Sequence, residues 1–296
     1  MKGNAESLGQ LAPSHSRGAR AWREWLLYTV WRIVLLVVGI VFVAPFLWMV
    51  VTSLKLPEQI YTWPPTLLPA PPQWHNYRDA LTFVPFGRYF RNSFLLVAAV
   101  LLGNLTSNTL IAYGFSRVEW VGRNVVFILV LATMMLPAQV TMIPVYMIFR
   151  RLGWIGTFLP LTVPAYFGSA YSTFLLRQFF MGIPFELSDA ARIDGCSEVG
   201  ILWHVILPLA RPALTTLALF SFIGTWSDFQ GPLIYLHDER LYTVALGLQQ
   251  FQSRYVTPMN QLMAAATAVM APVLIVFFAA QRVFIQGIAI TGLSGR

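Results

Sequence analysis

The sequence predicts an all-α integral membrane protein with six transmembrane helices, on three observations. Apolar residues make up 57% of the 296-residue chain and charged residues 11%, where soluble domains carry about 25% charged residues; mean hydropathy is +0.63. Six stretches come close to the roughly 20 apolar residues that a helix needs to cross a hydrocarbon core: about 31–53, 93–115, 124–148, 157–180, 213–234 and 262–284. Outside the tail and the polar connections, the only acidic residue is Asp228.

Residues 1–30 read as a polar N-terminal tail. The first span starts too far along the chain for a secretory signal and lacks a small-x-small cleavage pattern, so it is expected to be retained. The connection 54–92 holds Pro57, Pro64, Pro65, Pro69, Pro71, Pro72 and Pro85. Proline lacks an amide donor and fixes φ, so this connection should be extended and irregular. Trp63, Trp74 and the aromatic run Phe83–Phe90 suit a membrane–water interface.

The second span places Asn104 and Asn108 one turn apart. Amides in lipid need partners, so both should face the bundle, either as an interhelical clamp or along a solute path. The third span carries Pro137, Gln139 and Thr141, and Pro137 predicts a kink, as a hinge or a static bend. The fifth ends Thr225-Trp226-Ser227-Asp228-Phe229-Gln230-Gly231-Pro232-Leu233. Trp226 and Asp228 there could contact solute, or be an interfacial ring and a solvated helix end. Arg282 should mark the end of the sixth span, and the glycine-rich residues 285–296 are not expected to sustain a helix.

A polar island, Pro184–Pro212, separates the fourth and fifth spans. Leu187, Ala190, Ala191 and Asp194 recur at i, i+3, i+4 and i+7, one face of a helix that begins after Glu186. Gly195 should stop that helix in the left-handed conformation. Ser197 can cap a second short helix, and Leu207-Pro208 should break it before the fifth span. A helix–glycine–helix of this kind presents a compact, small-faced knob to a partner.

Lysines and arginines orient the spans. With the N-terminus inside, the inner connections and tails hold 12 of them and the outer connections 8, and the tail cluster Arg17–Arg32 sharpens the bias. The island then lies in the cytoplasm with both termini. The formal charge of +8 is scattered rather than striped with aromatics, so nucleic acid is not an expected partner.

Little supports catalysis. No span assembles His, Asp and Glu into an acid–base set, and no G-x-x-x-x-G-K-[ST] nucleotide loop exists. The four histidines lie in four separate segments, so no metal site is expected. Cys196, the single cysteine, rules out an intrachain disulfide. An ion-coupled carrier would want more intramembrane acids than Asp228.

The island resembles the EAA loop of ABC-importer permeases: Ala190, Ala191, Asp194, Gly195, Leu207 and Pro208 match, with Asp189 where Glu is usual. Trp226, Phe229, Pro232 and Leu233 resemble the carbohydrate-type signature, and Leu54-Lys55, Asn76-Tyr77 and Arg91-Asn92-Ser93 are similar to maltose-type permeases. The resemblance implies the type I ABC-importer permease fold with cytoplasmic coupling helices. Its ATPase-coupling loop would comprise Glu186, Asp189, Ala190, Ala191, Asp194, Gly195, Leu207 and Pro208. The implied solute path would include Asn104, Asn108, Gln139, Trp226 and Asp228. It implies no catalytic residue and no cofactor on this chain, with ATP-Mg held by a partner subunit. The implied partners are a second permease subunit, two ATP-binding subunits and an external solute-binding protein, at a bacterial or archaeal inner membrane. The solute would be a sugar, or another polar molecule such as glycerol phosphate, a polyamine or a peptide. Divided this way, the chain has a tail (1–30), a first helix with its external loop (31–86), a permease core (87–284) and a C-terminal tail (285–296).

Overall fold

The computed structural model describes residues 15–252 and 258–293, and every regular element among them is helical. Helix α1, His15–Ser53, takes in half of the expected tail together with the first span. It is followed by α2 (His75–Phe83) and α3 (Phe86–Ser116). The third predicted span is α4 (Arg123–Ala132) and α5 (Ala138–Arg151), bent by 100° at Leu136-Pro137. Leu136 is extended there, with ψ 117°, because a following proline excludes the helical conformation.

The fourth predicted span is not one helix. It consists of a short turn at Leu159–Thr162, a 3₁₀ turn at Val163–Phe167, and α6, Ala170–Met181. Pro160 and Pro164 crowd its start, and Gly168 at φ +81° reverses the chain before Ser169 caps α6 by accepting from Ser172 N. The island forms α7 (Phe185–Ile193) and α8 (Glu198–Leu209), and the fifth span is α9, Arg211–Trp226. Then come α10 (Gln230–Tyr235), α11 (Val244–Gln249) and α12 (Met259–Leu293). Among the described residues, three helices are long and apolar enough to cross a membrane, or up to five if each bent pair counts as one span.

Three local expectations need correction. The connection after α1 is irregular through residue 74 apart from one turn at Pro57–Ile60, but its second half is helical. Phe86 and Tyr89 are buried there instead of sitting at an interface. Leu207-Pro208 does not end α8. Residues Leu202–Ile206 widen into a π turn in which Leu207 N reaches Leu202 O, and the helix runs on through Pro208. The wider turn accommodates a ring that would otherwise strike the carbonyl four residues back. The break falls at Ala210, where the chain turns by 79°. Finally, α12 passes through Gly287 and Gly292 to Leu293. Isolated glycines cost only about 1 kcal/mol each, and the helix continues through both.

Two buried clusters hold the bundle. One joins Phe86, Tyr89, Phe222, Trp226, Phe251 and Ala265 near the start of α3. The other joins Ala112, Tyr113, Leu176, Phe180, Ile201 and Ile206 near its end. Helix α3 packs on α6, α9 and the 163–167 turn, whereas α1 lies at the edge against α12. The most apolar stretch of α1 buries none of its residues within the chain, as expected of a helix facing lipid.

Candidate functional site

The island is built as a knob braced from below. Helix α7 ends in a Schellman motif: Cys196 N donates to Ala191 O at 2.9 Å and Gly195 N to Arg192 O at 3.0 Å. Gly195 takes φ +85°, the left-handed conformation that motif requires. Ser197 caps α8 by accepting from Gly200 N at 3.2 Å. The two helices therefore meet at a fixed angle with Gly195 at the apex.

The faces of α7 divide. Glu186, Leu187, Asp189, Ala190 and Asp194 are exposed, whereas Ser188 is buried and Ala191 packs on the second cluster. Ala191 thus leaves the face that the spacing shared among Leu187, Ala190 and Asp194. Exposed Leu187, Ile193 and Val199 add apolar area to the same knob. Leu207 is half-buried and packs on the second cluster, while Pro208 is exposed.

A charged bridge ties the helices together. Arg192 donates to Asp189 at 2.7 Å and to Glu198 at 2.8 Å. Glu198 also accepts from the Tyr113 hydroxyl at 2.5 Å. The hydrogen bonds from Arg192 and then Tyr113 hold the Glu198 carboxyl below its usual range. Asp189, one methylene shorter than Glu, reaches Arg192 within its own helix (i, i+3).

The strongest anchor carries no signal in the island itself. Arg117, just beyond α3, is only 3% exposed. It donates to Phe180 O, to Ile183 O at 2.5 Å and to Ser188 Oγ at 3.4 Å, and its guanidinium lies 4.2 Å from the Phe185 ring centre. One cation thus satisfies the end of α6 and the start of α7 together. Sequence reasoning used Arg117 only as a topology marker, because its partners lie more than 60 residues away.

The expected path residues separate into three groups. Asn108 Nδ2 donates to Asn104, and its Oδ1 accepts from Ser169 N at 2.8 Å and Thr173 at 3.0 Å, while Asn104 donates to Ser221 at 2.5 Å. These two amides join α3 to α6 and α9. Trp226 is buried, stacks on Phe222 and donates its indole N–H to Val269 O at 3.0 Å. Gln139 and Asp228, by contrast, line one open cavity of about 250 Å³ with Gln230, Met142 and Tyr235. Asp228 also lines a second cavity, beside Leu96, Thr225 and Pro232. It is the one charged side chain in either lining, and its Oδ1 accepts from Gly231 N at 3.0 Å.

The sugar-type dipeptides form two junctions. Lys55 is buried, donating to Thr66 O at 2.5 Å over the Trp48 ring, and Asn76 bonds Ser53 O, Lys55 O and Asn260. Asn92 donates to Arg240 O and Tyr242 O, and Ser93 accepts from Val244 N. Among the described residues, no group of His, Cys, Asp and Glu could hold a metal.

Bent apolar helices around a braced polar knob define a multi-pass membrane protein. Residues 108–290 match the model of the binding-protein-dependent transport system inner membrane component family, and the chain belongs to that family. It is 32% identical to a probable ABC transporter permease protein, YurM, of Bacillus subtilis over 278 residues, covering 92% of this chain and 91% of that one. It is 34% identical to the sn-glycerol-3-phosphate transport system permease protein UgpE of Pectobacterium atrosepticum, covering 86% and 94%. The fold matches a chain of a bacterial ABC transporter involved in the import of the acidic polysaccharide alginate, with TM-score 0.78 at 22% identity over 93% of this chain and 99% of that one.

Proposed function

We propose that this chain is one of two membrane subunits of an ATP-driven importer for a sugar or sugar-like solute that an external binding protein delivers. The observation that carries the reading is the knob: a helix–glycine–helix with an exposed small and apolar face, locked to the bundle by Arg117 and Tyr113. Its groove contacts are Glu186, Asp189, Ala190 and the Asp194-Gly195 apex, docking in a separate ATPase subunit that holds ATP-Mg. Ala191, Leu207 and Pro208 shape the knob from beneath. Both termini and the knob face the cytoplasm, in keeping with the arginine distribution. Counting the α4–α5 pair, the broken 157–181 segment and α9 as one crossing each, beside α1, α3 and α12, gives six spans. A second permease packs beside this one, and solute passes between the two.

Gln139, Gln230 and Tyr235 offer the hydrogen bonds and the aromatic face that suit a sugar's hydroxyls and C–H surfaces. The UgpE relatives favour glycerol phosphate as a second reading. Asp228 argues for the uncharged solute, since it places a carboxylate and no cation in the cavity wall. Vesicles containing both permeases and both ATPases, supplied with the binding protein encoded beside them, test the reading with labelled neutral trisaccharides and glycerol 3-phosphate. ATP-dependent uptake of a trisaccharide supports it. Uptake driven by an ion gradient without the ATPase subunits refutes it.

A further inference from the structure

Where α3, α8 and α9 meet, they leave an apolar groove of about 360 Å³, within the size range of ligand sites. Leu105 and Leu110 of α3, Leu202, Trp203 and Leu207 of α8, and Leu214 of α9 form its walls. Leu110, Val199 and Trp203 at its rim are 61%, 75% and 67% exposed. Thr106 also lines it, but its hydroxyl is bonded within α3, to Leu102 O at 2.6 Å. A regular helix overshoots a full turn by about 40° in four residues. The wider π turn at Leu202–Ile206 takes up that excess and keeps Trp203 and Leu207 on the groove side. Such turns frequently fall at functional sites.

The groove lies in the knob's half of the bilayer. Leu110 and Leu105 precede the end of α3 at Ser116 by six and eleven residues, about 9 and 17 Å at 1.5 Å per residue, inside a hydrocarbon core about 30 Å thick. It also opens away from the solute. Nine residues, or two and a half turns, separate Leu96 from Leu105 and Val100 from Thr109; the first of each pair lines an Asp228 cavity and the second the groove. A second permease that shares the solute path therefore leaves this side of α3 to lipid.

One cation stands at the corner of the groove. Arg211 begins α9, four residues after Leu207 and three before Leu214. It is exposed, and among the described residues it makes no ion pair. Arg192, by contrast, is spent on Asp189 and Glu198, and no acid lines the groove. Trp203 is of the residue type that settles at the membrane–water interface.

We propose that this groove binds an anionic phospholipid, with one acyl chain between α3, α8 and α9 and the phosphate on Arg211. The leaflet is the one on the knob's side, which is the inner leaflet on the reading given above. Apolar contact holds the tail, and charge selects the headgroup: the guanidinium fork donates to phosphate oxygens, and a basic residue at an inner-leaflet pocket favours anionic lipid. The bound chain fills the gap that Leu110, Val199 and Trp203 leave open between the knob's second helix and the bundle.

Photolabelling of the complete complex in phosphatidylcholine nanodiscs tests this. The probes are phosphatidylglycerol and phosphatidylcholine, each carrying a diazirine in one acyl chain. Label mapped by mass spectrometry should fall on both walls, in 105–110 and 199–214. The phosphatidylglycerol probe should label them about fivefold more strongly, the weight of one cation at the membrane surface. Arg211→Gln should bring that ratio near one. Leu110→Trp, at an exposed position with room for a larger ring, should fill the groove and remove label from 199–214, while label on the exposed Ile275–Phe278 turn of α12 stays. Equal labelling by the two probes, or a preference that survives Arg211→Gln, overturns the proposal, since ordinary bilayer contact gives the first and another headgroup site the second. Absence of label from both walls overturns it too, because a protein segment then covers the groove. The labelling needs no ATP, so a failure of the ATPase-docking reading leaves this result readable.

Discussion

Replacing Arg117 with Met should loosen the knob more than any change within the knob itself. Met keeps much of the length and apolar stem but removes every donor. Phe180 O keeps its bond from Ile183 N at 3.2 Å, but Ile183 O loses its bond from Arg117, and a buried acceptor left unpaired costs about 1–3 kcal/mol. The guanidinium stack on Phe185 contributes about 0.5–2 kcal/mol more. Against this, the variant no longer buries a charge whose Nε has no partner, and that relief removes part of the loss. The net expectation is about 2–4 kcal/mol, a factor of roughly 30–1,000 in local opening at 1.4 kcal/mol per tenfold. Hydrogen exchange of the amides in Phe185–Ile193 reads this directly, and α9 serves as an internal reference. Arg117→Lys should fall between the two, because one ammonium lacks the planar fork that meets three acceptors. Exchange in α7 within twofold of the unmodified protein for Arg117→Met would refute the anchoring role.

Other outcomes follow from single positions. Gly195 has φ +85° and open space where a Cβ would point, so Gly195→Ala should cost about 1–2 kcal/mol from backbone strain alone. Gly195→Asn should cost less, and Gly195→Leu should lower transport-coupled ATPase activity while membrane insertion stays intact. A Cβ on Gly103 would lie 2.7 Å from the Tyr166 ring, so Gly103→Ala should destabilise by about 1–3 kcal/mol in thermal melts of the solubilised protein, and adding Tyr166→Ala should restore most of it. The Glu198 carboxyl is held below its ordinary value by Arg192 and Tyr113. Its bonds are therefore fully present above the unfolded carboxyl range and are lost as pH falls through the lower folded value. Protection of the α7–α8 turn amides, exchange divided into its intrinsic rate at each pH, should be flat from pH 7 to about 5 and fall below that, and Glu198→Gln should abolish the acid-dependent part.

The sequence made the membrane class legible because lipid imposes one requirement at every position, and 20 apolar residues satisfy it visibly. It misjudged continuity because prolines act on geometry that spacing does not report. Pro137 does far more than kink its span: the extended Leu136 before it turns the chain by 100°. Pro208 does less than expected, because a π turn one step earlier absorbs its ring. The same residue type gives a sharp bend in one place and none in the other. The difference lies in whether the preceding turn can widen, which depends on packing by Ile201, Leu202 and Ile206 against the second cluster.

The knob was legible for a different reason. Its stop signal, its cap and its small face are all local, so Gly195, Ser197 and Ala190 announce themselves within a dozen residues. What fixes the knob to the bundle is not local. Tyr113 and Arg117 bond residues 63–85 positions away, and in sequence they look like an apolar helix end and a topology charge. The sugar-type dipeptides show the reverse limit. Lys55, Asn76 and Asn92 stand out only by their likeness to maltose-type permeases, and in the fold each donates to backbone carbonyls of a neighbouring segment. Asp228 and Gln139 differ in facing open volume. In a bundle where most buried polar groups tie one helix to another, a carboxylate at a cavity wall whose bond goes to Gly231 N, three residues on, separates a residue available to solute from one that holds the walls apart.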